Sequence, residues 1–437
     1  LKKYSKYTDN EFLCDIYQIL NIFISINPEK YLKVFFENDE IKNVVEKHLS
    51  KLDEEKNNYS PKSESISSTG FVGIKNLSSL CYMNSVIQQF FMMPLFKNAI
   101  LSLPIDPSLK EEDDNDILLF QLQKMFHYLK YSKKEHYNPK SFVYSFKDFE
   151  GNPTNISIQC DAQEFLSRFI EKIEESLKNS PQKYLCDNIV GGSTLQQVKC
   201  TNPECGNISE RRENINFLSL DIKGCRNVKE CLAKFILEEK IEDYHCEKCD
   251  KKITNLKRVL VDKIPNILII HLQRIAFSYE TFTMEKINIP IEFDKNLNIK
   301  KYTLNKDNND IPSEYYDYEL QGIIIHKGTA QFGHYYSIIY SEEKDLSGKW
   351  YKFNDTSVTE VNYDQILSDA IGSSFSEYDS SAYMLIYQKK NKKPVIINCK
   401  EINENKIKIL EENKEKNLEK LDLEGKEYYL YDNDKEA

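Results

Sequence analysis

Cys81 stands where a polar turn gives way to an apolar run, in "NLSSLCYMNSVIQQFF" over residues 76–91. Its local setting admits four roles: buried filler, metal ligand, disulfide partner or nucleophile. At the first turn of a helix a thiol faces unpaired backbone N–H groups and the positive end of the helix dipole, a setting that favours an anionic nucleophile. A nucleophile also needs a base, a group that orients the base, and donors for the oxyanion formed on attack. Of the seven histidines, His48 and His127 fall in helical stretches, His136 in a polar loop and His245 beside Cys246. His271 lies within an apolar strand and His326 near a strand's end. His334, in "TAQFGHYYSIIY", is the strongest candidate base. Gly333 lets the backbone turn tightly just before a strand, which sets the imidazole at a sheet edge facing a cleft. The next strand segment, "KWYKFNDTSV", brings Asn354 and Asp355, either of which could accept from the imidazole Nδ1–H and fix its tautomer.

A second set of thiols has metal-ligand spacing. "KCTNPECGN" and "YHCEKCDKK" carry Cys200 with Cys205 and Cys246 with Cys249. Two thiol pairs on tight turns can close a tetrahedral zinc site. The second pair has knuckle spacing and the first is looser, while the stretch between them exceeds a compact zinc ribbon. Cys225, Cys231 and His245 compete as ligands.

These groups need elements to position them. From Cys81 the pairs Tyr82/Met83, Val86/Ile87 and Phe90/Phe91 recur every four residues, which predicts a helix with one buried face. A second helix carries Leu118, Leu119, Leu122, Met125, Phe126 and Leu129 on one face. A third opens at "DAQEF", where Asp161 and Glu164 have capping-box spacing. Beyond about residue 190 the period changes to two: "NILIIHLQRI", "INIPIEF", "LQGIIIHKG", "HYYSIIY", "KWYKFND" and "AYMLIYQ" read as strands. Helices first and strands later make an α+β fold with the groove between the halves. Residues 1–50 read as short helices, with Asn27 and Pro28 opening one, at the end of a longer helical region. Residues 51–69, rich in Ser, Lys and Glu, read as a linker, and 390–437 as a charged helical extension or tail.

Composition sets the class. With 437 residues, 40% hydrophobic, 28 Tyr and 23 Phe, the chain holds a globular core and two or three domains. A net charge of −10 and the lack of a Lys/Arg stripe with interleaved aromatics speak against nucleic acid and for a basic partner surface. No apolar stretch reaches the roughly 20 residues that span a bilayer, so no membrane partner is expected. Eleven scattered cysteines point to a reducing, intracellular compartment, cytoplasmic or nuclear, where thiols bind metal or react.

Taken together, "GIKNLSSLCYMNSVIQQFF", "CDAQEF" and "GHYYSIIY" followed by "KWYKFNDTSVTEV" resemble the cysteine, glutamine-aspartate and histidine boxes of the ubiquitin-specific proteases. The resemblance spans about residues 70–389 and is nearest the very long members, whose catalytic domain is embedded among helical repeats. It implies a papain-like cysteine protease with fingers (about 190–262), palm and thumb, acting on ubiquitin and ubiquitinated proteins. Cys81 is then the nucleophile, His334 the general base and Asn354 the orienting residue, with Asp355 as an assisting neighbour. Asn76 would supply an amide N–H to the oxyanion hole. Asp161 would bind the extended ubiquitin tail, and Gly333 and Tyr335 would line its channel. Cys200, Cys205, Cys246 and Cys249 would hold a structural zinc, with no catalytic cofactor. The chain departs from the family at Ser78 and Leu80, where Gly and Thr are usual. Two alternatives follow: a catalytically impaired ubiquitin-binding scaffold, or a protease for another ubiquitin-like modifier. A third, a papain-like peptidase acting on general proteins, would cleave peptides without a diglycine end.

Overall fold

The computed structural model describes residues 66–103, 114–148, 150–308, 310–342, 348–372 and 380–390. The chain divides into two units, Leu1–Glu64 and Ser65–Ala437, and the described residues all belong to the second. The helical segment expected over 1–50, most of the 51–69 linker and the extension beyond Lys390 lie outside the described residues.

The first half is helical. The short β1 (Gly73–Ile74) leads into α1 (Cys81–Phe91), α2 (Pro94–Ser102) and α3 (Asp114–Tyr131). A two-residue strand, β2 (His136–Tyr137), pairs in parallel with β1, before α4 (Lys140–Ser145), α5 (Ala162–Leu177) and α6 (Leu185–Ile189). α1 departs from the one-faced helix its spacing predicts, because all eleven of its residues are buried. Its polar residues face backbone rather than water. Gln88 Nε2 donates to Val72 O at 2.9 Å and Gln89 Nε2 to Ile323 O at 3.2 Å, while Ser85 O accepts from Ser337 Oγ at 2.8 Å. A buried polar group without such a partner costs about 1–3 kcal/mol, so these bonds are what let a helix this polar sit in the interior.

The second half is mostly strand. β3 (Gly192–Cys200) and β4 (Ile208–Ile215) form a hairpin, followed by β5 (Leu218–Leu220) and α7 (Val228–Phe235). Next come β6 (Glu239–Cys246), β7 (Lys251–Lys263), β8 (Ile267–Leu272), and the β9 (Ile275–Ser278) to β10 (Thr283–Lys286) hairpin. After β11 (Asn296–Asn298) the chain makes β12 (Asp317–Gly328), β13 (Gly333–Ser341), β14 (Lys349–Asn354) and β15 (Ser357–Val361). It ends with α8 (Tyr363–Ala370) and β16 (Ser380–Lys389). The eight-stranded sheet runs β15-β14-β13-β12-β16-β8-β5, with β11 also on β12. All its pairs are antiparallel except β5 with β8.

Period-two alternation gives this sheet a core on each face. Ile269, Ile324, Ile339, Phe353 and Ile386 pack toward α1 and its neighbours, whereas Ile270, Ile323, Ile325, Ile338 and Leu385 pack toward α7 and α8. A second sheet, β4-β3-β7-β6, is antiparallel throughout and projects the cysteine turns at one end. The stretch assigned to the fingers is interrupted: β5 joins the large sheet and Leu218, Val228 and Leu232 join its core.

One expected strand is absent. "INIPIEF" is extended but makes only an isolated bridge at Glu292. Pro290 lacks the N–H that a ladder needs. Its carbonyls are used instead by Arg274, fully buried, which donates to Ile287 O at 3.0 Å, Ile289 O at 2.9 Å and Ala382 O at 2.7 Å.

Candidate active site

Cys81 is the first residue of α1, so its backbone N–H has no acceptor within the helix. Asn76 precedes it on a loop that the backbone itself holds. The N–H groups of Ser78 and Leu80 donate to Asn76 Oδ1 at 3.1 and 3.0 Å, which turns the Asn76 NH2 away from the loop. The Ser78 and Leu80 side chains take no part in these bonds, so both departures from the family pattern leave Asn76 anchored.

His334 is the second residue of β13, and its Nε2 lies 2.6 Å from Asn354 Oδ1 at the end of β14. The nitrogen that faces Asn354 is therefore Nε2, not the Nδ1 expected from the sequence; Nδ1 is left for the thiol side. Three histidines of the large sheet differ sharply in environment. Burial pushes His271 down to about 4 and His326 down to about 3, so both stay neutral in the core. His334 is raised to about 9, with the Cys81 thiol the largest cause, Asn354 a further one, and burial opposing them. An imidazole of this kind is protonated at neutral pH.

Asn354 and Asp355, adjacent in sequence, do different jobs. Asn354 ends β14, and Asp355 opens the left-handed turn beyond it, which sends the two side chains to opposite sides. Asn354 shares the face of His334, and Asp355 turns to the α1 side. There Asp355 Oδ2 accepts from Asn76 Nδ2 at 3.0 Å and Oδ1 from Asn84 Nδ2 at 2.8 Å. Its influence on His334 is through charge alone. Asp355 has φ 48°, a left-handed turn conformation that Asp tolerates better than most residues. This turn is pressed onto β1: Ile74 N donates to Asp355 O at 2.8 Å, and a Cβ on Gly73 would meet Asp355 O at 2.5 Å. Glycine at position 73 is what lets the hairpin approach closely enough for Asp355 to reach both asparagines.

The residues expected to line a substrate channel divide. Gly333 opens β13 at the cleft, with its N–H and C=O both bonded to Gln159. The Tyr335 ring, 2% exposed, instead turns into the core against Tyr383 and His326, because alternation sends it to the face opposite His334. As a lining side chain it is corrected. Both Asp161 carboxylate oxygens are engaged internally: Oδ1 accepts from Gln163 N at 2.6 Å as the N-cap of α5, and Oδ2 from Tyr383 Oη at 2.5 Å. The cap forms through Gln163 rather than through a box with Glu164. Tyr383 reaches Asp161 because it is skipped in the β12–β16 pairing, a bulge between Ala382 and Met384 that re-aims its side chain.

Asn84, Gln159 and Tyr383 are site-shaping residues that the sequence reading did not single out. A signal existed for two of them. Asn84 follows Cys81 within the first turn of the same helix, and Gln159 sits immediately before the "CDAQEF" box.

The four cysteines of the second sheet converge. Cys200 ends β3 and Cys246 ends β6, with Cys205 and Cys249 on the adjoining turns, and the four sulfurs lie within 4.8 Å of one another. Cys200–Cys249 and Cys205–Cys246 are both 3.8 Å apart, the separation of about 3.8 Å that tetrahedral Zn–S bonds of about 2.3 Å require. Backbone N–H groups of Cys249 and Lys248 lower the Cys246 thiol toward its anionic form. Cys225 and Cys231 pack in the core of the large sheet instead, and His245 bonds Asp250 at 2.7 Å. The cluster fits a metal. Among the described residues no helix is long and apolar enough to cross a membrane.

Comparison with known proteins identifies the family. The family model described as ubiquitin carboxyl-terminal hydrolase matches residues 72–387. "Ubiquitin carboxyl-terminal hydrolase 24" of Mus musculus is 32% identical over 373 residues, covering 76% of this chain and 14% of the relative. "Probable ubiquitin carboxyl-terminal hydrolase FAF" of Drosophila melanogaster is 30% identical over 406 residues, covering 75% and 14%. "Ubiquitin carboxyl-terminal hydrolase 34" of Homo sapiens is 30% identical over 383 residues, covering 79% and 10%. The chain thus spans 14% or less of the length of these relatives. By a match that takes in most of its described residues, with the α+β architecture that goes with it, the chain belongs to the ubiquitin carboxyl-terminal hydrolase family.

Proposed function

We propose that this chain is a thiol-dependent deubiquitinase that hydrolyses the isopeptide bond at the C-terminal glycine of ubiquitin, with residues 70–389 as its catalytic unit. The observation that carries this reading is the placement of His334 between a helix N-terminal cysteine and an asparagine acceptor 2.6 Å away, which together raise the imidazole. Cys81 thiolate attacks the glycine carbonyl carbon. The oxyanion is met by the Cys81 backbone N–H and the Asn76 carboxamide, which Asp355 holds. The His334 imidazolium gives its proton to the departing lysine amine, leaving ubiquitin as a thioester on Cys81. His334, now neutral, takes a proton from water as it attacks the thioester; Cys81 then leaves as thiolate, His334 keeps the proton, and the starting ion pair is restored as ubiquitin departs with a free carboxyl group. The β9–β10 hairpin and the loop before His334 are joined by Gln331 Nε2 donating to Met284 O at 2.6 Å. They expose Tyr279, Phe282 and Phe332, apolar surface of the kind that binds a macromolecular substrate. Steady-state cleavage of ubiquitin bearing a fluorogenic C-terminal amide tests the reading; no turnover at micromolar enzyme would overturn it.

The pH profile gives a sharper check. His334 is protonated below about 9, so kcat/KM falls as pH rises through about 9. Its folded value lies above the roughly 6.5 of an unfolded histidine, so its stabilising contribution is full below that value and lost as pH rises through about 9. In Asn354→Ala an acceptor that raises His334 is gone. The alkaline limb then moves to lower pH, and kcat/KM drops about 10- to 100-fold, the range for losing a group that orients a functional imidazole.

The four-cysteine cluster is proposed to hold a structural zinc ion with no open coordination position. Zinc supplies cross-linking of the two turns, and its removal loosens the second sheet without touching Cys81. Chelator treatment should release one zinc per chain, lower the apparent Tm by about 5–10 °C and spare alkylation of Cys81. A Tm unmoved by a strong chelator would remove the zinc assignment.

A further inference from the structure

The reaction steps above leave one cleft residue without a role. Gln159, half-buried, lies on the loop entering α5. Its Nε2 donates to Gly333 O at 2.6 Å, and its Oε1 accepts from Gly333 N at 3.4 Å. The same Nε2 stands 3.9 Å from Cys81 Sγ. A primary carboxamide carries the donor and acceptor of a peptide unit, so Gln159 bonds Gly333 as a passing main chain would.

Gly333 has nowhere to withdraw. A Cβ built on it would lie 2.1 Å from His326 Nε2, so its backbone is pressed against a buried ring. For Cys81 to attack, a carbonyl carbon must come within about 3–3.5 Å of Sγ. A carbonyl brought to that distance on the Gln159 side of Sγ would need the space the carboxamide holds at 3.9 Å, and a substrate main chain that bonded Gly333 would compete with Gln159 for the same N–H and C=O.

We propose that Gln159 is a self-blocking gate: in the free enzyme its carboxamide fills the place of the substrate's last peptide unit against Gly333, and substrate must displace it before attack. The proposal rests on the deubiquitinase reading for its choice of substrate. It gives the enzyme a built-in competitor, so part of the ubiquitin binding energy goes into opening the cleft.

The test uses Gln159→Ala in the full chain, with two readouts. For the fluorogenic ubiquitin amide, KM falls about three- to tenfold, the factor carried by one or two neutral hydrogen bonds, while kcat changes less than about twofold. Alkylation of Cys81 by iodoacetamide, followed on the Cys81 peptide by mass, accelerates by a similar factor without any ubiquitin. Gln159→Met, which keeps the side chain's length without its polar atoms, behaves like Gln159→Ala. A raised KM, a lower kcat at constant KM, slower alkylation, or wild-type values in Gln159→Met would each overturn the gate. If the wild type fails to turn over ubiquitin, the deubiquitinase reading falls, and the alkylation rates still decide the gate.

Discussion

Incubated with ubiquitin carrying a C-terminal vinyl electrophile, the wild-type chain gains the mass of one ubiquitin, and Cys81→Ala gains none. The same substitution lowers turnover of the fluorogenic amide by at least about 10⁴-fold, because nucleophile and base act as a unit and what remains is binding and oxyanion stabilisation. Ubiquitin still binds Cys81→Ala, since the sulfur is removed from the floor of the cleft and the exposed hairpin and loop are untouched. With eleven cysteines in the chain, single-site labelling is itself informative. Cys186 is held up by burial, and four others are gathered in the metal cluster. An adduct that persists in Cys81→Ala would sink the assignment of the nucleophile. Binding with no adduct on the wild type would favour the impaired scaffold. That outcome runs against the geometry, because the two loop departures, Ser78 and Leu80, hold Asn76 through backbone N–H groups that any residue supplies.

The second large effect is expected at Asp355. Asp355→Ala removes the acceptor that holds the Asn76 NH2 and one of the two acceptors of the Asn84 NH2. Asn76 then loses the orientation that aims its carboxamide at the oxyanion, and kcat falls by about 10²–10³, the loss typical of one oxyanion donor. KM changes little, since no group that binds the ground-state chain is removed. The alkaline limb of the pH profile shifts only slightly, in contrast to Asn354→Ala, because Asp355 touches His334 through charge alone. Asp355→Asn separates geometry from charge: it keeps the size of the side chain and retains an oxygen acceptor, so it recovers part of the lost kcat. Parallel kinetics of the three variants would refute this division of labour if Asn354→Ala and Asp355→Ala gave the same pH profile and the same loss.

Much of the chemistry was legible in the sequence, because it depends on residue type and order. A cysteine at a polar-to-apolar boundary, a Gly-His before an apolar alternation, and paired cysteines on short spacings each state a local requirement of helix, strand or turn. The core on each face of the large sheet appeared only in the folded chain, whereas the helical first half and the period-two second half followed from side-chain periodicity alone. Pro290 broke that rule in a way its own missing N–H explains, and the "INIPIEF" carbonyls went to Arg274, a partner that lies outside the segment.

What the sequence left open is everything that depends on register and on contact between distant segments. Asn354 and Asp355 are neighbours with nearly the same side chain, and either could orient a histidine. The β13–β14 pairing and the tight turn at Asp355 decided that one faces His334 and the other faces Asn76 and Asn84, 279 and 271 positions away in sequence. The same alternation buried Tyr335, and a one-residue bulge delivered Tyr383 to Asp161. Side-chain identity and periodicity are local properties that a linear sequence carries; which face a residue presents at a sheet's end, and what it meets there, is set by hairpin register and packing, and those exist only in the folded chain.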